Sequence, residues 1–154
     1  WYYEQQLLGY NYRMNDIEAT LGISQLKKIN KFFIKRKKIK NFYDKNLRNL
    51  PIILPENERN KISSLHLYII RLKNVSISFR NGVINKLRKK GIGVNIHYIP
   101  IHFQPYFRSL GFKKGMYPES ERYYETAISL PIHPGLKKKD LIKILKVLKN
   151  LLKK

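Results

Sequence analysis

The sequence predicts an α+β fold in which three short strands form a small sheet and helices cover one side of it. Residues 65–72 are a continuous run of β-favouring side chains, as expected for a covered strand. Residues 139–152 place leucine and isoleucine at helical spacing. Between the two ends of the chain, the patterns alternate as helix, strand, helix, strand, helix, strand, helix.

The first long helical pattern occupies residues 15–50, with Asn15 or Asp16 as its N-cap. Gly22 lies inside the pattern, so one bent helix and two helices in series are both possible. Pro51 and Pro55 end the pattern, because each proline lacks a backbone donor and restricts the residue before it. The polar residues 56–64 predict a loop.

The middle of the chain predicts a strand, a helix and a second strand. The first strand is residues 65–72, and Ser78 is the expected N-cap of the helix that follows. Gly91 is a suitable residue for the end of that helix, since a left-handed backbone costs glycine little. Residues 92–99 predict the second strand.

The last third predicts a loop, two helices and a strand. Residues 100–117 are rich in proline, glycine and aromatic residues and indicate a structured loop. Pro118 fits the first turn of a helix that extends to residue 126. Residues 127–131 predict the third strand, and residues 139–152 predict the terminal helix.

Composition excludes several classes of protein. The 154 residues are 43% hydrophobic, which is too apolar for a disordered tail and sufficient for one core. The chain has no cysteine, which excludes disulfides and thiolate metal sites and suits a cytoplasmic protein. No apolar run is long enough to span a bilayer, so no membrane partner is expected. The chain opens at Trp1, almost directly before a helical pattern, which predicts a piece of a longer protein.

The formal charge of +22 admits two interpretations. A small nucleic-acid-binding module would use this charge on phosphates. However, the basic residues are spread along the chain, and the densest cluster, residues 35–38, lies inside a helical pattern. We therefore favour solvated lysines without a specific nucleic-acid partner and keep the binding module as the alternative.

Two segments carry residues suited to ligand chemistry. Gly9, Asn11 and Arg13 precede a predicted helix N-terminus, where amide and guanidinium groups would suit an anion, although an ordinary helix cap is also possible. His97, Tyr98 and His102 lie where a predicted strand enters a proline-bounded loop, a position suited to a polar ligand. A structural role for one of these histidines stays open. No carboxylate or cysteine lies close enough in sequence to complete a metal site, so no metal is expected.

These motifs together resemble a known family. The run GYNYRMNDIEATLGISQL, the segment HYIPIHFQPYF and the closing SLPIHPGL are similar to the C-terminal portion of the DegT/DnrJ/EryC1/StrS sugar aminotransferases. The opening WYYEQQ resembles the branch that aminates UDP-4-keto-6-deoxy-N-acetylhexosamines in pseudaminic acid biosynthesis, that is, the UDP-4-amino-4,6-dideoxy-N-acetyl-altrosamine transaminases.

The resemblance implies a fold and an activity. Members have the fold-type I, aspartate-aminotransferase-like architecture and are cytoplasmic homodimers that bind pyridoxal 5'-phosphate (PLP) on a lysine of the large domain. They transfer an amino group from glutamate to the C4 keto group of a nucleotide-linked 4-keto-6-deoxy sugar. The implied organisation is residues 1–14 leading out of a missing large domain, residues 15–50 as a long interdomain helix, and residues 51–154 as a small C-terminal α/β domain.

The resemblance also implies roles for individual residues. Asn11 matches the asparagine that reaches the cofactor phosphate of the neighbouring subunit, and Arg13 is expected to assist it. His97, Tyr98 and His102 match a loop near the nucleotide-sugar. The family's PLP lysine lies upstream of the segment that matches Trp1, so this piece is expected to hold no catalytic residue and to be inactive alone.

Overall fold

The computed structural model describes residues 2, 4–10, 12–56 and 63–152. The chain divides into two compact units, residues 1–31 and residues 32–154. Each unit is described by itself. Within the described residues, no helix is both long enough and apolar enough to cross a membrane.

The first unit contains helix α1 (Asp16–Leu26), and its N-terminus confirms the predicted N-cap. Asn15 Oδ1 accepts a hydrogen bond from the Glu18 N–H at 2.9 Å, and Glu18 Oε2 accepts one from the Asn15 N–H at 3.1 Å. This reciprocal capping box satisfies two backbone donors that the helix cannot pair internally. None of the α1 side chains is buried.

The long helical pattern forms two helices, α1 and α2 (Ile29–Leu47). Of the two possibilities, two helices in series is the one observed, and the interruption falls at residues 27–28, whereas Gly22 lies inside α1. There the Lys27 N–H still bonds the Ile23 carbonyl, whereas the Lys28 N–H bonds the Gln25 carbonyl at 3.0 Å, which tightens the turn. Helix α2 buries one side chain per turn near its end, at Ile39, Tyr43 and Leu47.

The sheet is antiparallel with the order β1-β2-β3, where β1 is Ile52–Ile53, β2 is Tyr68–Leu72 and β3 is Ala127–Leu130. Ile52 pairs with Leu72, and Ile70 pairs with Ile128. The expected strands at residues 65–72 and 127–131 are confirmed in shorter form. Strand β1 was not predicted, because its two residues lie between Pro51 and Pro55 and carry no alternating pattern.

The predicted second strand at residues 92–99 is wrong. The segment forms only an isolated bridge, in which Asn95 pairs with Ser129 of β3. The side chain of Asn95 accepts a hydrogen bond from the Ile96 N–H at 2.9 Å, which takes a donor that a longer ladder would need. The segment nevertheless lies against β3 and buries Ile92 and Val94.

Helix α3 (Ile77–Lys89) begins two residues earlier than expected. Ser76, not Ser78, is the N-cap, since Ser76 Oγ accepts from the Phe79 N–H at 3.2 Å. The expected end of the helix is confirmed, because Gly91 follows the C-cap Lys90 and adopts φ +70°. Helix α3 packs against β3, against helix α5 (Pro118–Thr126) and against helix α6 (Lys138–Leu152).

The remaining helices lie in the last third of the chain. A short 3₁₀ helix (Ile101–Phe103) and helix α4 (Pro105–Ser109) lie inside what the sequence predicted as a loop. Helix α5 (Pro118–Thr126) begins at Pro118 as expected and packs against β2. Helix α6 (Lys138–Leu152) closes the core with Leu141, Ile144, Leu148 and Leu152.

Candidate functional site

The predicted anion-binding segment lies in the first unit, directly before α1. Asn11 lies outside the described residues, so its predicted contact with a phosphate stays a prediction. Arg13 is exposed, and among the described carboxylates none forms an ion pair with it. Because the α1 N-terminus is already capped by Asn15, Arg13 is the described cation of this segment that is available to an anion.

Rings of two tyrosines flank position 11. The centroids of Tyr10 and Tyr12 lie 5.5 Å apart, and the Tyr12 N–H bonds the Tyr10 carbonyl at 3.1 Å. Both side chains are more than four-fifths exposed, with 85% and 87% of their surface accessible. The segment therefore presents aromatic and basic groups on its surface without burying them inside the first unit.

The predicted segment that carries His97, Tyr98 and His102 lies in the second unit, and these residues contact different partners. His97 is half-buried, and its Nδ1 lies 2.7 Å from Ser129 Oγ of β3. The bridge between Asn95 and Ser129 brings these two side chains together, because it fixes the segment alongside β3 just before His97. Ser129 is itself 4% exposed, so the hydroxyl belongs to the protein interior.

Tyr98 is the exposed member of the segment. Its side chain is 73% accessible, and its ring packs edge-on against His97 with centroids 4.7 Å apart. A phenol in this position offers a hydrogen-bonding hydroxyl at the end of a flat apolar ring, which is suited to a polar ligand with an apolar face.

His102 is buried, with 5% of its surface accessible. Its Nε2 lies 2.9 Å from Glu121 Oε1, and the ring packs between Phe103 and Tyr117, with centroids 4.5 and 4.9 Å away. The two histidines of the motif therefore differ: His102 is held in the interior by a carboxylate, whereas His97 is bound through one nitrogen to a hydroxyl.

Glu121 holds this part of the unit together. Its Oε1 also accepts from the Gly115 N–H at 2.7 Å and the Tyr117 N–H at 3.5 Å. Burial by itself would raise the pKa of Glu121, but these two N–H groups and the hydrogen bond and charge of His102 lower the pKa below its ordinary value. The carboxylate is therefore ionised at neutral pH and fixes the loop that precedes α5.

A cavity of about 310 Å³ opens beside His102. Four of its six lining side chains are rings; the full set is Ile101, His102, Phe107, Phe112, Tyr117 and Ser120. Rings from the predicted structured loop at residues 100–117 therefore line this cavity. Among the described residues, no group of three or more histidine, cysteine, aspartate or glutamate side chains is arranged to hold a metal ion.

Ser129 and Glu121 are the polar residues that the sequence did not single out. Ser129 stands in the SLPIHPGL motif, and its signal was a hydroxyl at an otherwise apolar strand position. Glu121 lies in the first turn of α5, where the helix dipole favours any acidic residue, so its position does not reveal a partner. Their partners lie 32 and 19 residues away, respectively, so pairing required the fold.

The sequence profile of the DegT/DnrJ/EryC1/StrS aminotransferase family matches residues 2–149. The chain belongs to this family. The match covers the segment before α1, the His97–Ser129 contact and the His102–Glu121 pair. It confirms the family that the sequence motifs predicted.

Named relatives from the family are similar over most of the chain. Uncharacterized protein MJ1066 of Methanocaldococcus jannaschii is 37% identical over 98% of this chain and 40% of its own length. The UDP-4-amino-4,6-dideoxy-N-acetyl-beta-L-altrosamine transaminase of Campylobacter jejuni serotype O:2 is 37% identical over 86% of this chain and 35% of its own length.

Solved structures agree with the family and confirm the predicted fold class. A protein described as a sugar aminotransferase, Spr1654 of Streptococcus pneumoniae in its PLP form, superposes with a TM-score of 0.89 at 32% identity, over 98% of this chain and 39% of that one. Helicobacter pylori PseC, an aminotransferase involved in pseudaminic acid biosynthesis, gives a TM-score of 0.85 at 28% identity, over 97% of this chain and 40% of its own. The chain thus spans about 40% of the length of these relatives.

Proposed function

We propose that this chain is the C-terminal part of a PLP-dependent aminotransferase that moves an amino group from glutamate to the C4 keto group of a nucleotide-linked 4-keto-6-deoxy sugar. The observation that carries the proposal is the family match over residues 2–149. The relatives named as altrosamine transaminases support a UDP-linked N-acetylhexosamine as the sugar. We also propose that the protein acts in the cytoplasm as a homodimer.

The described residues suit the cofactor's phosphate. Arg13 is exposed, unpaired with any described carboxylate, and stands two residues before the Asn15 cap. A guanidinium at this position can donate two parallel hydrogen bonds to a phosphate. We propose that Asn11 adds its amide to the same phosphate. PLP, when bound, supplies the electron sink for moving the amino group.

The surroundings of the described lysine side chains bear on which part of the protein holds the cofactor's lysine. The described lysine side chains are exposed, except for Lys149, which is half-buried, and Lys40, whose side chain is 12% exposed. Lys40 also forms an ion pair with Asp44. A lysine that forms a Schiff base is usually desolvated, which lowers the pKa of its amine. We therefore propose that the cofactor's lysine lies outside this chain. On this proposal the chain completes an active site and does not catalyse amination alone.

The apolar side chains of α1 support a covered position in the intact protein. Ile17 is 83% exposed, Leu21 62% and Leu26 65%. Exposed apolar groups of this size on one short helix are typical of a surface that a partner covers. We propose that the large domain or the second subunit covers them.

Cofactor binding tests the role of the first unit. The intact protein that contains this chain should bind PLP more tightly than pyridoxal, which lacks the phosphate, when both are measured by equilibrium dialysis. Changing Asn11 or Arg13 to alanine should weaken PLP binding about tenfold or more and leave pyridoxal binding nearly unchanged, because each removes a charge-assisted or amide hydrogen bond to phosphate. Arg108→Ala, an exposed arginine of α4, is the matched control. Equal loss for both ligands would contradict the phosphate role.

A further inference from the structure

We propose that Ser129 is a positioning residue, which orients His97 so that its Nε2–H donates a hydrogen bond to an oxygen of the nucleotide-sugar. The orientation rests on the geometry of this chain. The identity of the acceptor rests on the function proposed above.

The contact fixes which nitrogen of His97 is free. Nδ1 lies 2.7 Å from Ser129 Oγ, which is hydrogen-bond distance. No other described residue bonds the His97 ring through a nitrogen. With Nδ1 engaged on β3, Nε2 is the nitrogen available to a ligand.

Burial of the hydroxyl then decides which of the two groups donates. Ser129 is 4% exposed, and among the described residues its hydroxyl has His97 as its one partner. If His97 donated from Nδ1, the hydroxyl proton of Ser129 would be buried without an acceptor, which is unfavourable. The hydroxyl therefore donates to Nδ1, and the neutral imidazole carries its proton on Nε2.

Rigid backbone holds the serine in place. The Ser129 N–H bonds the Asn95 carbonyl at 2.8 Å, and the Asn95 N–H bonds the Ser129 carbonyl at 3.3 Å. On the other side, Ser129 pairs with Ile69 of β2. The hydroxyl thus projects from the third strand of a sheet rather than from a mobile loop, and it determines the orientation of a half-buried ring two residues beyond Asn95.

A neutral N–H donor suits a specific class of acceptor. Sugar hydroxyl and carbonyl oxygens and diphosphate oxygens all accept from an imidazole N–H. The exposed phenol of Tyr98 packs edge-on against this ring, so both groups lie at one surface. His97 accordingly contributes a hydrogen bond to sugar-nucleotide binding.

The test uses the intact protein labelled with ¹⁵N in histidine only, with His97 assigned by the signal lost in His97→Gln. In alkaline solution the imidazole ¹⁵N shifts should show Nε2 protonated and Nδ1 unprotonated. Ser129→Ala should give a mixture of both tautomers, Ser129→Thr should restore the single form, and Ser109→Ala, at an exposed serine of α4, should change nothing. An unchanged spectrum in Ser129→Ala would overturn the positioning role.

Steady-state kinetics test separately whether His97 contacts the sugar nucleotide. Ser129→Ala should raise KM for the sugar nucleotide about three- to tenfold, with kcat and the KM for glutamate nearly unchanged, since one hydrogen bond is misdirected. Ser129→Thr should recover most of the loss. A tautomer change without a change in KM would overturn the contact with substrate. Failure of the wild-type protein to aminate any sugar nucleotide would instead refute the proposed function, and the spectra would still report the orientation.

Discussion

His102 Nε2 lies 2.9 Å from Glu121 Oε1, and both side chains are more than nine-tenths buried. The same carboxylate accepts from the Gly115 N–H. The Glu121 carboxylate therefore connects α5 to the 3₁₀ helix and to the turn before α5. We expect the stability of residues 101–121 to depend on Glu121 remaining ionised.

Glu121→Gln should lower the midpoint temperature of unfolding at neutral pH and flatten its dependence on pH. The pKa of Glu121 is lowered in the folded state, so its stabilisation is present above the ordinary pKa of glutamate and is lost as the pH falls below it. The wild-type protein should therefore lose stability in acid faster than the variant.

Calorimetry between neutral pH and pH 3 would measure this difference. Glu119→Gln, on the same helix but with a side chain 80% exposed, is the matched control and should follow the wild-type curve. Parallel curves for wild type and Glu121→Gln would show that the carboxylate does not act as described.

Two buried tyrosines should each contribute measurably to stability. The Tyr43 hydroxyl donates to the Pro131 carbonyl at 2.9 Å, and the Tyr68 hydroxyl donates to Asp44 Oδ1 at 2.8 Å. Burial raises the pKa of both phenols, with Asp44 adding to the effect on Tyr68, so they remain donors across the physiological range. Replacing either tyrosine with phenylalanine should cost about 1–2 kcal/mol in urea unfolding.

Tyr106→Phe is the control for these variants, since its side chain is 68% exposed and its hydroxyl gives little to stability. If Tyr106→Phe lowered the free energy of unfolding as much as Tyr43→Phe or Tyr68→Phe, the two buried hydrogen bonds would not stabilise the protein more than an exposed hydroxyl does.

Two glycines two residues apart should respond differently to alanine. Gly91 has φ +70°, a conformation that alanine adopts with strain, so Gly91→Ala should destabilise the protein by about 1 kcal/mol. Gly93 lies outside the left-handed region, and an added Cβ would meet no atom within 4 Å. Gly93→Ala should be neutral or slightly stabilising. Equal effects in chemical denaturation would contradict the assigned turn at the end of α3.

The nucleic-acid alternative predicts tight binding that survives physiological salt, whereas we expect weak, salt-sensitive association. Lys35, Lys37 and Lys38 are exposed on α2, but Arg36 is half-buried and its Nε has no partner. Changing only the three lysines to glutamine should therefore reduce binding to duplex DNA at low salt and leave amination unchanged. Tight duplex binding at physiological salt, lost in this variant, would favour the binding module.

Much of the fold followed from local chemistry, and the failures have local causes. Asn15, Gly91 and Pro118 were predicted from cap and turn preferences that act within a few residues. The segment at residues 92–99 has the composition of a strand, but Asn95 bonds its neighbour and limits the pairing to one bridge. Strand β1 is stabilised by its partner Leu72, which no local pattern indicates.

The site was predictable as a set of residues but not as a set of contacts. The motif named His97 and His102 and left open which of them is structural. Their partners, Ser129 and Glu121, lie on separate elements, and only the packing of β3 and α5 brings them within hydrogen-bond distance. The roles of Asn11 and Arg13 concern a second subunit and a cofactor, and they stay predictions.

Transfer of ¹⁵N from glutamate to a sugar nucleotide tests whether the intact protein is a nucleotide-sugar aminotransferase. The intact protein would be incubated with PLP, ¹⁵N-glutamate and a UDP-linked 4-keto-6-deoxy-N-acetylhexosamine, and the sugar nucleotide would be examined by mass spectrometry. We predict a product that carries one ¹⁵N amine at C4, formed only when PLP and glutamate are both present. A sugar nucleotide recovered without ¹⁵N, from protein shown to bind PLP, would contradict the proposed amination.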